Sequence, residues 1–119
     1  MALADLAEIT LNLPVPPSVN RTRRVDWRNS RIVRQWTEDA DALVLSGPKV
    51  IGRRIPRFEL LVVVSAECRN DLDNSLKILI DYLRRIEVIE DDGPKHMRRI
   101  TIEWGMAPEG CCITVRPIA

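Results

Sequence analysis

The run FELLVVVSAECRNDLDNSLKILIDYLRRIEVIEDD, Phe58 to Asp92, holds two apolar patterns of different period in succession. Its first part, Phe58 to Ala66, is short, β-branched and almost continuously apolar. That composition predicts a central strand buried on both faces. In the second part Leu72, Leu76, Leu79, Ile80, Leu83 and Ile86 recur at three- and four-residue spacing. They line one stripe of a helix that packs against the sheet.

Working outward, Glu8 to Leu13 alternates Ile9, Leu11 and Leu13 with Thr10 and Asn12, the pattern of a half-buried strand. Pro14, Pro16 and Pro17 end it, and PVPPSVNRTRRVDWRNSR continues as an arginine-rich loop with turn or cap residues at Ser18, Asn20 and Asn29. From Arg31 to Leu45 the positions Ile32, Val33, Trp36, Ala40, Leu43 and Val44 predict a helix with Trp36 in the core, stopped by Gly47 and Pro48. Lys49 to Arg57 is a second basic connector, broken by Gly52 and Pro56. Towards the C-terminus, Met97 to Trp104 alternates and Cys111 to Ile118 is a further short strand. Gly105 to Gly110, with Pro108, is expected to close them as a hairpin. The order is βαβαββ, which predicts one α+β domain over residues 1–119: a mixed β-sheet with two main helices packed on one face.

A chain of 119 residues, 45% hydrophobic and 29% charged, has the make-up of a soluble globular domain and can bury a sizeable core. No apolar run approaches the roughly 18 residues needed to span a bilayer, so no membrane partner is expected. The acidic, non-basic start MALADLAEITLNLP is unlike a secretory signal, and a cytoplasmic protein is expected. Of the three cysteines, Cys111 and Cys112 are neighbours on a strand and face opposite ways, which supports neither zinc nor a disulfide framework. The net charge of +1 hides an uneven distribution. Six arginines (21, 23, 24, 28, 31 and 34) stand against Asp26 alone, while Glu87, Glu90, Asp91 and Asp92 form an acidic end. An arginine cluster beside Trp27 suits a phosphate backbone, because each guanidinium can fork two hydrogen bonds onto phosphate oxygens.

The acidic residues carry the chemistry. Asp71 and Asp73 sit one residue apart where a strand would end, so their carboxylates can converge. Lys77 follows Asp73 at i+4, on the same side of the helix. A helix cap worth about 1 kcal/mol would account for one aspartate. Two carboxylates within roughly 5 Å repel by about 3 kcal/mol at an effective dielectric of 20, which favours a bound cation or a raised pKa at one of them. Hard oxygen donors without His or Cys point to Mg²⁺, with Mn²⁺ as a substitute. A calcium EF-hand is excluded, since a loop begun at Asp71 would put Leu76 at the turn glycine and Tyr82 at the bidentate glutamate. His96, the sole histidine, is expected to be a surface or strand residue.

DLDNSLKILIDYL followed by IEDD, with PPSVNR near the N-terminus, resembles the RusA family of Holliday junction resolvases, small dimeric Mg²⁺-dependent endonucleases of bacteria and their phages. The likeness covers nearly the whole chain. It implies that Asp71, Asp73 and Asp92 bind metal, that Lys77 is the catalytic lysine, that Asp91 is a neighbouring or supporting carboxylate, and that Asn74 orients a neighbouring group. On a strand, Asp91 would face away from Asp92. Where the family continues with a small residue, Gln and an aliphatic, this chain has Gly93, Pro94 and Lys95. The implied reaction is symmetric hydrolysis of a four-way DNA junction by a homodimer, leaving 5′-phosphate and 3′-hydroxyl ends, in a bacterial or phage-infected bacterial cell. Candidate DNA contacts are Arg21, Arg23, Arg24, Arg28 and Arg31, with Arg69 at the head of the acidic stretch. The alternatives are a metal nuclease of other branched or flap DNA, a non-catalytic junction-binding protein, and an interaction module whose acidic patch is merely solvated.

Overall fold

The computed structural model describes residues 7–17, 26–67 and 76–118, with residues 26–30 described by their backbone alone. The chain order is strand β1 (Ile9–Leu13), helix α1 (Asp26–Ser46), strand β2 (Phe58–Ser65), helix α2 (Leu76–Arg85), strand β3 (Met97–Gly105) and strand β4 (Cys111–Pro117). This is the expected α+β order. The four strands form one mixed sheet, β1-β4-β2-β3, in which β2 runs parallel to β3 and antiparallel to β4.

Strand alternation sends Ile9, Leu11 and Leu13, then Phe58, Leu60, Val62 and Val64, then Cys111, Ile113 and Val115 to one face, where all are buried. Both helices lie on that face. From α1, Trp36, Ala40 and Val44 enter the core; from α2 come Leu79, Ile80, Tyr82 and Leu83. Trp36 also fixes α1 to the proline segment, its indole N–H donating to the carbonyl of Pro14 at 2.9 Å. The helix ends where glycine and proline stop it, with the Gly47 amide bonded to Val44 O. Among the described residues, no helix is long and apolar enough to cross a membrane.

The structure alters four sequence expectations. First, β2 is central but fully buried on one face only; Glu59, Leu61, Val63 and Ser65 are half-buried on the other, since no helix of the described residues covers it. Second, β3 and β4 do not pair as a hairpin. The long apolar β2 has two edges of backbone donors and acceptors to satisfy, and β3 takes one while β4 takes the other. Residues 105–110 therefore arch over the end of β2, with Ser65 N–H bonding Gly110 O and Ala66 N–H bonding Gly105 O. Gly110 has φ +121°, and a Cβ there would come within 2.6 Å of the Val15 side chain, so this crossing needs glycine. Third, α1 starts at Asp26, not Arg31, because DWRNS holds no proline or glycine to stop it and begins with an acid that complements the helix dipole. Arg28 and Arg31 are thus helix residues. Fourth, Asp91 and Asp92 lie in a turn after α2, outside any strand.

That turn is held by the second basic connector. Gly52 N–H bonds Ile86 O, Arg54 N–H bonds Glu87 O, Ile55 N–H bonds Val88 O, and Glu90 N–H returns to Ile55 O. Ile55, Val88 and Ile89 are buried beneath this lacing. Downstream, the amides of His96 and Met97 both bond Gly93 O, and Phe58 N–H bonds His96 O. The acidic turn is therefore tied to the start of β2 on both sides.

Candidate functional site

Helix α2 buries Leu79, Ile80 and Leu83, so 3.6-residue periodicity turns Lys77, Asp81 and Arg84 outward in one line. Lys77 Nζ is 3.9 Å from Asp81 Oδ2, and Arg84 Nη1 is 3.9 Å from Asp81 Oδ1. The turn after the helix brings two more carboxylates to the same line. Arg84 Nη1 is 3.6 Å from Asp92 Oδ1 and its Nε is 4.0 Å from Asp91 Oδ1. Lys77, Asp81, Arg84, Asp91 and Asp92 thus form one exposed charged face, with an open depression lined by Asp81, Arg84, Arg85, Glu90 and Asp91.

Within the turn, Asp91 Oδ1 accepts the backbone N–H of Asp92 at 2.8 Å. This bond, then a hydrogen bond with the Asp92 side chain and, more weakly, the attraction of Arg84, hold the Asp91 carboxyl below the ordinary carboxylate range. The two side chains are not on opposite faces of a strand, as alternation would have put them; one guanidinium reaches both. Asp91 is engaged by the backbone of its neighbour, whereas Asp92 presents its carboxylate to Arg84.

Of the sequence-predicted site, Asp91 and Asp92 are brought together. Lys77 stands seven residues before Arg84, about 10 Å along the helix axis, and is linked to the acidic turn through Asp81 and Arg84. Asp71, Asp73, Asn74, Arg69, Arg21, Arg23 and Arg24 lie outside the described residues, as does the side chain of Arg28. Arg31 is exposed on α1. In the connector, Lys49, Arg53 and Arg57 are exposed and Arg54 pairs with Glu87 at 3.3 Å. His96 is half-buried with Nδ1 2.6 Å from the carbonyl of Pro56, so Nδ1 carries the proton and the ring serves the turn's anchoring. Cys111 is buried and Cys112 half-buried on opposite faces of β4.

Sequence reasoning overlooks Asp81 and Arg84. Their signal is present, since both continue the Lys77 line at i+4 and i+7, but an arginine among acids does not look like part of a metal centre. Among the described residues no group of three or more His, Cys, Asp or Glu side chains is gathered to hold an ion. Asp91 and Asp92 supply hard oxygen donors, and the guanidinium between them occupies the position of a cation. Carboxylate oxygens are the donor type that a hard divalent ion takes. In comparisons with known proteins, the chain matches no family model and no curated protein.

Proposed function

We propose that this protein is a Mg²⁺-dependent endodeoxyribonuclease that resolves four-way DNA junctions as a homodimer. The observation that carries the reading is the conjunction of two features. Asp71-Leu72-Asp73-Asn74 precedes Lys77 by one turn in sequence, and the Asp91–Asp92 turn folds back onto the exposed line that Lys77 begins. Exposure of this line suits a substrate as large as DNA.

In the proposed reaction Asp71, Asp73 and Asp92 would hold the ion, and Asp91 fixes the turn by accepting the Asp92 amide. Bound there, a divalent ion would supply Lewis acidity to the hydrolysis. Lys77 offsets charge on the phosphate oxygens as the phosphodiester is hydrolysed, and Asn74 orients a neighbouring group. The products carry 5′-phosphate and 3′-hydroxyl ends. Arg21, Arg23, Arg24, Arg28, Arg31 and Arg69 grip the backbone, reading junction shape before base edges. A two-fold dimer with one site per subunit matches the two strands that must be cut.

The Asp73→Asn variant tests the metal role. Cleavage in Mg²⁺ is expected to disappear while junction binding stays intact or tightens, because the change removes a ligand and a charge that repels DNA. A variant that cleaves at the wild-type rate would sink the assignment.

A further inference from the structure

We propose that the outer edge of β3 pairs antiparallel with the same strand of a second copy, joining the two sheets into one across a two-fold axis at Thr101. The inference rests on the homodimer of the reading above and gives that dimer its interface. β3 is nine residues long and ends the strand order, so one of its edges has no strand beside it among the described residues. The other edge strand of the sheet, β1, has five residues and runs into Pro14. Shortness and proline blunt β1 as a template for another chain, whereas β3 has neither.

The sheet decides which backbone groups of β3 face outward. Ala66 N–H bonds Gly105 O, so Gly105 turns its polar groups towards β2, and alternation turns those of Ile100, Ile102 and Trp104 away from it. The register steps over Arg98, so the regular stretch begins at Arg99. With the axis at Thr101, Ile100 meets the partner's Ile102 as a hydrogen-bonded pair that exchanges both N–H···O bonds. Arg99 then stands across from the partner's Glu103, and Thr101 across from the partner's Thr101, at the closer spacing of non-hydrogen-bonded pairs. Opposite charges, two β-branched side chains and two threonines are all favourable cross-strand neighbours. An axis at Ile100 or at Ile102 pairs neither charge. The side chains are open to such a partner: Arg99, Thr101 and Glu103 are exposed, and Ile100 and Ile102 are half-buried against the core. Arg99 lies 3.8 Å from Glu59, and no ion pair reaches Glu103 among the described residues. The contact is the same patch on both copies, so it closes at two chains.

Sedimentation velocity on the full chain reads the assembly, with a thermal melt on each variant to confirm folding. Wild type is expected to be a dimer. Arg99→Glu and Glu103→Arg each set like charges across the axis twice per dimer and should weaken the dimer Kd by about tenfold, while the exchange Arg99→Glu/Glu103→Arg restores it. The register is read by cysteine trapping in a Cys68→Ser/Cys112→Ser background. Thr101→Cys should link two chains under mild oxidation, since directly opposed Cα atoms stand within disulfide reach, and Glu103→Cys should not. A monomeric wild type, the result if another part of the chain covers the edge, overturns the proposal. So do single reversals that leave the Kd unchanged, an exchange that restores nothing, or a Thr101→Cys variant that stays unlinked. Should a reversal not fold, the two cysteine variants decide. If wild type cleaves junctions and fails these tests, the interface falls alone; if it cleaves nothing yet links through position 101, the nuclease reading falls and the interface stands.

Discussion

Tyr82, the single tyrosine of the chain, joins the two helices. Its hydroxyl donates to Asp41 Oδ1 at 2.7 Å, Arg85 Nη1 lies 3.3 Å from the same oxygen, and its ring stands edge-on to Trp36 with centroids 5.2 Å apart. Burial, and then the hydrogen bond and negative charge of Asp41, push the hydroxyl well above its ordinary value of about 10; Arg85 pulls the other way and loses. Because the folded value is raised, the stabilisation from the neutral hydroxyl is whole below pH about 10 and drains away as pH climbs towards the folded value. A spectrophotometric titration should therefore show no tyrosinate in the folded protein just above pH about 10, with ionisation appearing only alongside unfolding. Reversible ionisation near the free value, with the fold intact, would contradict the clamp. None of this is legible in the sequence. Tyr82 falls outside the apolar stripe as spacing defines it, and its partner lies on the other helix, 41 residues away.

At the level of elements, α2 ends in a way its sequence conceals. Val88 N–H bonds Leu83 O at 3.0 Å and Glu87 N–H bonds Arg84 O at 3.1 Å, the paired bonds of a Schellman cap, with Val88 and Leu83 buried together. The left-handed position of such a cap ordinarily holds glycine; here it is Glu87, at φ +59°. A side chain in that conformation costs about 1–2 kcal/mol. The exposed Arg54–Glu87 pair repays little of it. Glu87→Gly should accordingly stabilise the protein by about 0.5–1 kcal/mol after the added freedom of the unfolded chain is counted. Urea denaturation reads this as a higher midpoint at unchanged slope, and a lower midpoint would mean that the Arg54 contact outweighs the strain. Both helices and strands β1, β2 and β4 are legible from periodicity because each buries one face, and burial imposes the period; the edge strand β3 shows it only through the half-buried Ile100 and Ile102. Boundaries are less so: α1 runs five residues further towards the N-terminus than the start at Arg31 that its apolar spacing predicts, since its first turns are mostly polar and do not continue the stripe.

At the scale of the molecule, class and order are legible and pairing is not. Alternation reports which way a side chain points but not which strand lies alongside. Gly105 and Pro108 therefore suit a hairpin in sequence and form a crossover in the fold. The open face of the sheet shows what pairing adds. Glu8, Arg116, Glu59 and Arg99, far apart in sequence, line up as one row of alternating charge, with Arg116 at 3.0 Å from Glu8 and 3.1 Å from Glu59, and Arg99 at 3.8 Å from Glu59. The same limit governs the candidate site. Asp91, Asp92 and Lys77 announce themselves by type and spacing, whereas Asp81 and Arg84 gain meaning only when the turn after α2 brings Asp92 within 3.6 Å of the guanidinium. Junction resolution is decided by incubating the wild-type protein in Mg²⁺ with a mobile four-way junction, a flap and a plain duplex of matched sequence. Symmetric nicks in opposing strands of the junction, with 5′-phosphate ends and with flap and duplex left whole, are the predicted result; cleavage of all three alike, or of none, would contradict it.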